Sequence, residues 1–269
     1  MTPPYPVHLS RYEDGRLKDF YDELAPEEPL EIRVEGQSIA VVMRTPGHDR
    51  ELAAGFLLSE GIIKGPRDLF DITTCVAAGT MGKGNAVDVA LAQPASFDVS
   101  KFSRHVMTSA SCGICSKTSI ETALRRHKPI PPGLQIDPAV VLTLPRKLAR
   151  RQETFQRTGG LHACALFTPE GRLLELREDI GRHNALDKLL GWALLEKMLP
   201  LSNCLLLLSG RTSFEMMQKA YSAGVPIVAA ISAPSSLAVE FARDSGQTLA
   251  GFVRGKTMNV YSGPERFSA

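Results

Sequence analysis

Two cysteines three positions apart, in Met107-Thr108-Ser109-Ala110-Ser111-Cys112-Gly113-Ile114-Cys115-Ser116-Lys117, are the residues here best suited to nucleophilic chemistry. A thiol reacts as thiolate, and nearby cations and a helix N-terminus favour that form. Arg104, His105 and Lys117 are close in sequence, and Thr118 with Glu121 has capping-box spacing, which predicts a helix from Ser119. The small polar residues around the pair predict an exposed, mobile loop. Four roles compete for it: inert thiols, half of a zinc site, a thioredoxin-type redox pair, and a persulfide-forming sulfur carrier. Zinc needs two more ligands. Cys75, Cys164, His162 and His183 are available, but no second pair has zinc spacing. A thioredoxin-type pair would follow the strand of an N-terminal βαβ unit, which the pattern lacks. A carrier needs one activated thiolate and a second thiol to help release the sulfur. The carrier fits best, although spacing alone does not choose it.

Three further clusters could hold an anion. Arg177-Glu178-Asp179-Ile180-Gly181-Arg182-His183-Asn184 stands between a predicted strand and a predicted helix, where unpaired N–H groups favour negative charge. Ser209-Gly210-Arg211-Thr212-Ser213 has the same placement: glycine allows close approach, and arginine can hold a phosphate through two parallel hydrogen bonds. The next strand ends similarly, at Ser232-Ala233-Pro234-Ser235-Ser236. In open α/β sheets ligands sit outside the carboxyl ends of strands, so two such loops point to a phosphorylated or nucleotide ligand. In the tail, Phe252, Arg254 and Lys256 flank a glycine turn and could stack on a base and meet a phosphate. A capped turn, a salt-bridged turn or a solvated hairpin would account for parts of these clusters without any ligand. The Gly-rich stretch from Ala78 to Gly84 lacks a Gly-Lys-Ser/Thr ending and a following helix, so it reads as a hairpin connection.

The elements that must carry these residues follow from periodicity. Residues 1 to about 24 read as a loose tail or an edge strand. Leu30–Val34 alternates and Ser38–Met43 is apolar, which predicts a strand pair, and a helix with Asp49 as N-cap follows, with Leu52, Ala53, Phe56 and Leu57 on one face. Strands are predicted at Ile72–Val76 and Ala86–Leu91, a proline-rich connection at Pro129–Pro138, and one helix over 139–153. Leu161–Phe167 and Arg172–Arg177 form a strand pair, and a helix begins at Ala185. Strand and helix then alternate to Val253, which predicts right-handed crossovers and a largely parallel sheet.

A net charge of +2 is too small for wholesale nucleic-acid binding, so any basic site is local. The longest aliphatic run, Leu205–Leu208, cannot span a bilayer, and no secretory segment is visible. Five cysteines, an odd number without framework spacing, then predict free thiols in a reducing cytoplasm.

These segments together resemble the formate dehydrogenase accessory sulfurtransferase family, FdhD. The stretches that carry the resemblance are Glu51–Ile63, Thr108–Lys117, Thr158–His162, Glu178–Lys188, Ser209–Lys219 and Leu249–Arg266, in family order from about residue 28 to the end. EDIGRHNALDK and CGIC are specific in combination. The resemblance implies a sulfurtransferase that accepts sulfur as a persulfide from a cysteine desulfurase. It passes that sulfur to the molybdenum bis(guanine dinucleotide) cofactor, bound as substrate, for the catalytic subunit of formate dehydrogenase. It puts the persulfide on Cys112, with Cys115 the second cysteine. It puts cofactor binding on Phe252, Val253, Arg254, Gly255, Lys256 and Thr257, to which the residue reading adds Ser209, Gly210, Arg211, Arg182 and His183. GDP is the expected mimic, and no metal of the protein's own is expected.

The implied fold is α/β: a cytidine-deaminase-like mixed sheet with flanking helices, joined to a smaller α+β N-terminal lobe, as a homodimer. The corresponding boundaries are a tail at 1–24, the smaller lobe at 25–106 and the deaminase-like part, with the CGIC loop, at 107–269. Deamination itself is not expected. Zinc deaminases need His-x-Glu and then Pro-Cys-x-x-Cys, but here Ser111 precedes the pair and no His-x-Glu occurs. Ser116 stands where the family often has glycine. The competing function is a non-catalytic chaperone that holds and delivers the molybdenum cofactor.

Overall fold

The computed structural model describes residues 3–76, 84–94 and 128–268. Strands β1 (Tyr5–Glu13) and β2 (Arg16–Leu24) pair antiparallel around Asp14-Gly15, both at positive φ. Asp-Gly in that conformation matches the right-handed twist of a hairpin. The segment is therefore a hairpin pairing with itself, where a tail or an edge strand was expected; the Asp-Gly signal was present but lay among dense charges.

In the next sheet, Leu30, Ile32 and Val34 alternate inward along β3 (Glu28–Val34), and the returning β4 (Gln37–Arg44) follows a Glu35-Gly36 turn. Helix α1 (Asp49–Ser59) leads to β5 (Leu69–Cys75) and β6 (Ala86–Leu91), giving the order β4-β3-β6-β5 with β3 and β6 parallel. The N-cap of α1 is His48, in the left-handed region at φ 58°, and Asp49 is already inside the first turn. The Asp49 carboxylate instead accepts from Arg44 at 2.9 and 3.0 Å, so its expected capping role is replaced by an ion pair.

Helix α2 (Pro138–Ala149) starts on an Asp137 N-cap, whose side chain accepts from the Ala139 N–H at 2.7 Å. A separate short helix α3 (Glu153–Thr158) follows, so residues 139–153 do not form one helix. The Glu178 carboxylate accepts from the Thr154 and Phe155 N–H groups, at 3.2 and 3.0 Å, and caps α3 from a distant strand. The large sheet is built from β7 (His162–Phe167), β8 (Leu173–Asp179), β9 (Leu205–Leu208), β10 (Ile227–Ala230), β11 (Thr248–Arg254) and β12 (Thr257–Ser262). Helices α4 (Arg182–Leu195), α5 (Phe214–Ser222) and α6 (Ser236–Asp244) connect them. The order is β12-β11-β10-β9-β7-β8. Only β9, β10 and β11 are parallel; β7, β8 and β12 run antiparallel to their neighbours. The sheet is thus mixed, not largely parallel, because tight turns close both outer strand pairs into hairpins.

Alternation divides the core. Ala163, Ala165 and Phe167 face α2, whereas Cys164 and Leu166 face the cluster shared by α1, α4 and both sheets. Helix α4 begins at Arg182, three residues before its expected start, and is buried nearly all round. It crosses α1 at two glycines. A Cβ on Gly55 would lie 1.8 Å from the Asp187 carbonyl oxygen, and one on Gly191 would lie 1.8 Å from that of Glu51. Only hydrogen fits there.

Candidate anion site at the strand ends

Strands β9, β10 and β11 are parallel, so their carboxyl ends share one edge of the large sheet. β7 runs the other way and begins at that edge, and β8 ends beside it, with Asp179 paired to His162. The topology therefore gathers five segments: His162, Asp179–His183, Ser209–Ser213, Ser232–Ser235 and Phe252–Thr257. Four strand spacings separate β8 from β11, about 19 Å at about 4.8 Å each.

Main-chain bonds lock the loops together. The Thr212 N–H donates to Ala233 O at 3.1 Å, Ser235 N–H to Thr212 O at 2.9 Å, and Phe252 N–H to Ser232 O at 3.1 Å. Arg254 Nε donates to Ile231 O at 2.9 Å. Ser209 Oγ accepts from the Ala163 N–H at 2.9 Å.

Within this frame several polar atoms are left over. Thr212 is 1% exposed, and its hydroxyl has no hydrogen-bond partner among the described residues. The Ser213 hydroxyl and Arg182 Nε are likewise buried without one. Ser213 is the N-cap residue of α5, yet its side chain makes no capping bond, and the N-cap of α4 is Gly181, which has no side chain to give. By contrast Ser235 caps α6, accepting from the Ala238 N–H at 3.2 Å. Two helix N-termini without a side-chain cap, one buried guanidinium nitrogen and two buried hydroxyls, the last three lacking partners among the described residues, are a setting suited to an anion. Beside them His183 Nε2 lies 2.8 Å from the Glu215 carboxylate. Burial, then the electrostatic influence of Arg182, Arg211 and His183, holds the His162 imidazole below its ordinary pKa.

At the far end Phe252 sits at φ 52°, uncommon for a bulky residue, within a bulge of the β11–β12 pair. The residue is 39% exposed, and the Arg254 guanidinium stands 5.9 Å from the ring centre. Gly255, at φ 57°, makes the turn. Arg254, Lys256 and Thr257 are exposed, whereas Val253 is fully buried and offers only its backbone.

The EDIGRHN segment divides between two jobs. Asp179 is fully buried; its carboxylate accepts from Gly181 N–H at 2.8 Å, Asn184 Nδ2 at 3.1 Å and Thr45 N–H at 3.0 Å, and meets Lys188 Nζ at 2.7 Å. Lys188 also donates to Thr45 O at 2.7 Å, and Asn184 to Met43 O at 2.7 Å. Arg177 grips Glu51 through two bonds of 2.6 and 2.9 Å. These residues fasten the turn to β4, α1 and Thr45 between them, and of the charged side chains in the segment Arg182 and His183 are those beside the edge. Sequence reasoning left Thr45, Glu215 and His162 out of the site. Thr45 comes from a distant segment that only the fold brings in, whereas Glu215 stood in the recognised Ser209–Lys219 stretch and His162 in the Thr158–His162 one.

Cys112 and Cys115, with the predicted helix beyond them, lie outside the described residues. The described cysteines, Cys75, Cys164 and Cys204, are free; Cys164 and Cys204 are buried, and desolvation pushes both thiols up. Among the described residues, no cluster of three or more His, Cys, Asp or Glu is placed to hold a metal, and no helix is long and apolar enough to cross a membrane.

Fold and site define an α/β protein whose mixed sheet ends in a cationic, hydroxyl-lined edge suited to an anion. Within that class the chain belongs to the FdhD/NarQ family, whose model matches residues 25–268. It is 49% identical over 261 residues to the sulfur carrier protein FdhD of Streptomyces coelicolor, covering 95% of this chain and 93% of that one. It is 50% identical over 250 residues to the sulfur carrier protein FdhD of Nocardia farcinica, covering 91% and 88%. Its fold is similar to the crystal structure of a protein from Desulfotalea psychrophila described as a formate dehydrogenase accessory protein. The identity is 25%, the TM-score 0.79, and the likeness covers 99% of this chain and 100% of that one.

Proposed function

We propose that the chain is a sulfurtransferase for formate dehydrogenase, carrying sulfur as a persulfide on Cys112 and holding the molybdenum bis(guanine dinucleotide) cofactor, its substrate, along the strand-end edge. The observation that carries the binding half is the set of buried side-chain atoms of Arg182, Thr212 and Ser213 that lack partners among the described residues, beside two helix N-termini without a side-chain cap. The sulfur half is supported by the names of the relatives and by the Cys112-Gly113-Ile114-Cys115 pair. On this reading a phosphate sits near Arg182, His183 and the Ser209–Gly210–Arg211 loop, and the guanine lies against Phe252 in the turn that runs through Arg254, Gly255 and Lys256 to Thr257. Cys112 receives the sulfur from a cysteine desulfurase, and Cys115 assists its release to the cofactor. The protein works as a cytoplasmic homodimer that next meets the catalytic subunit of formate dehydrogenase. The mixed sheet with α4 and α5 on one face and α2 on the other is, in this proposal, of the cytidine-deaminase kind, put to use without deamination.

The test is formate dehydrogenase matured with wild type or with Cys112→Ala. The variant should fold normally and yield inactive enzyme. Equal activity would overturn sulfur transfer and leave the cofactor chaperone as the function. Calorimetry with GDP, without magnesium, tests the edge separately. No heat and no thermal shift at millimolar nucleotide would overturn the binding half.

A further inference from the structure

One residue at the centre of the edge has no part in the function just proposed. His162 opens β7 on the face it shares with Cys164 and Leu166, the face toward α4. Gly210 lies against its ring, for a Cβ there would come within 3.1 Å of His162 Nδ1 and 3.3 Å of Cε1. Four charged or titratable groups act on the imidazole: Arg182 and His183 from α4, Arg211 from the loop after β9, and Asp179 from β8. The ring is thus half-buried among charged and titratable groups, against the loop whose Thr212 and Ser213 hydroxyls are buried without partners among the described residues.

We propose that His162 is a ligand contact of this edge, taking up a proton from solvent as a phosphate of the bound nucleotide settles between Arg182 and Arg211, and then donating a hydrogen bond to that phosphate. The inference rests on the edge being the nucleotide site. In the empty protein, burial and the neighbouring cations disfavour the imidazolium. An arriving phosphate offsets those cations and is itself an opposite charge within reach, and both changes favour the charged ring. Binding and protonation are then linked. Affinity for the anion rises as pH falls through the range in which the ring titrates, and each ligand bound draws a fraction of a proton from the buffer. Gly210 is part of the device, because any side chain there would press on the ring.

The experiment is calorimetry of GDP, and of inorganic pyrophosphate, with the whole chain near neutral pH in two buffers of different ionisation heat. The difference between buffers counts protons taken up. The nucleotide's own phosphate also titrates near neutrality, so wild type is compared with His162→Gln, checked for folding by its melting temperature. Wild type should take up more protons than His162→Gln for either ligand, and the variant should bind roughly 3- to 10-fold more weakly, the worth of one charge-assisted hydrogen bond. The imidazole resonances of His162, followed by NMR against pH, should show a midpoint that rises when GDP is present. Equal proton counts in both proteins, or a midpoint that GDP does not move, would overturn the inference and leave the nucleotide site standing. No binding of GDP by wild type would overturn both.

Discussion

Glu51 is a side chain whose surroundings set how it responds to acid. Burial works to raise its pKa, but bonds from His48 and Arg177 outweigh that and bring it from 4.5 to about 2. A depressed carboxylate stabilises the fold above its unfolded value, and the contribution disappears as pH falls through the folded one. The shift corresponds to about 3 kcal/mol present at pH 5 and largely gone by pH 2. Urea unfolding across that window should show wild type losing more stability than Glu51→Gln, and parallel losses would mean the pair contributes nothing. Lys188 poses the related question for a buried ammonium. Burial lowers its pKa while Asp179 supports the charged form. Lys188→Met keeps the stem and strands the Asp179 carboxylate in the interior, so it should cost about 3–5 kcal/mol. Adding Asp179→Asn to the same protein should restore part of that loss, because the stranded charge is then gone. No recovery in the double variant would mean that the Lys188 bond to Thr45 O carries the effect instead.

Between elements, the α1–α4 crossing is the tightest contact. The two helices approach until glycine is the only residue that fits, at Gly55 on one and Gly191 on the other. Alanine improves helix propensity by about 1 kcal/mol over glycine, so an isolated helix would gain from the change. Here the added methyl meets backbone oxygen, and the helices must separate. Gly55→Ala and Gly191→Ala should therefore each destabilise the protein by about 1–3 kcal/mol or more, read as a lower urea midpoint. A neutral or raised midpoint would show that the crossing relaxes freely. This contact also marks where the sequence was readable. Local signals located nearly every described element, because alternation in β3 and the apolar spacing of α1 act within a few residues. What escaped were features set by partners far along the chain. α3 is capped by Glu178 from β8, so its start carried no capping residue of its own. The outer strand pairs of the large sheet were legible as hairpins, and the family resemblance implied a mixed sheet; what strand–helix alternation does not encode is that β7 pairs antiparallel with β9. The candidate anion site was half legible. Ser209–Ser213 and Arg182 announced themselves by type and position, but that Thr212 and Ser213 would be buried without partners among the described residues depended on how the loops lock together.

At the scale of the molecule, the two sheets share one core. Leu30 and Ile32 from β3, Leu52 and Leu57 from α1, Leu186 and Leu190 from α4, and Leu206 and Leu208 from β9 belong to the same buried cluster. Polar ties cross at the same level: Thr45 to Asp179, Glu51 to Arg177, and Ser59 to Asp187, which Lys219 also holds. Unfolding the smaller sheet alone would expose the α1-facing side of α4 and strand Asp179 and Lys188 without Thr45. Each is costly, so partial unfolding should be suppressed and both sheets should melt as one unit. The β1–β2 hairpin is the exception. Its two strands pair mainly with each other, and Tyr5, Tyr12, Leu17 and Tyr21 are all more than half exposed. A two-stranded ribbon of that kind is marginal by itself, and among the described residues the Arg157–Glu23 ion pair ties it to α3 through side chains open to solvent. Native-state hydrogen exchange should therefore find β3 and β10 opening with the same free energy, equal to that of the Trp192 fluorescence transition, and β1–β2 opening far more readily. Removing residues 1–24 should then shift the melting temperature by only a few degrees, the scale of about 1 kcal/mol in a chain this size. If β3 and β6 open at a clearly lower free energy than β9 and β10, the sheets are separate units, and the helix crossing at Gly55 and Gly191 is a docking contact between them, not the centre of a common core.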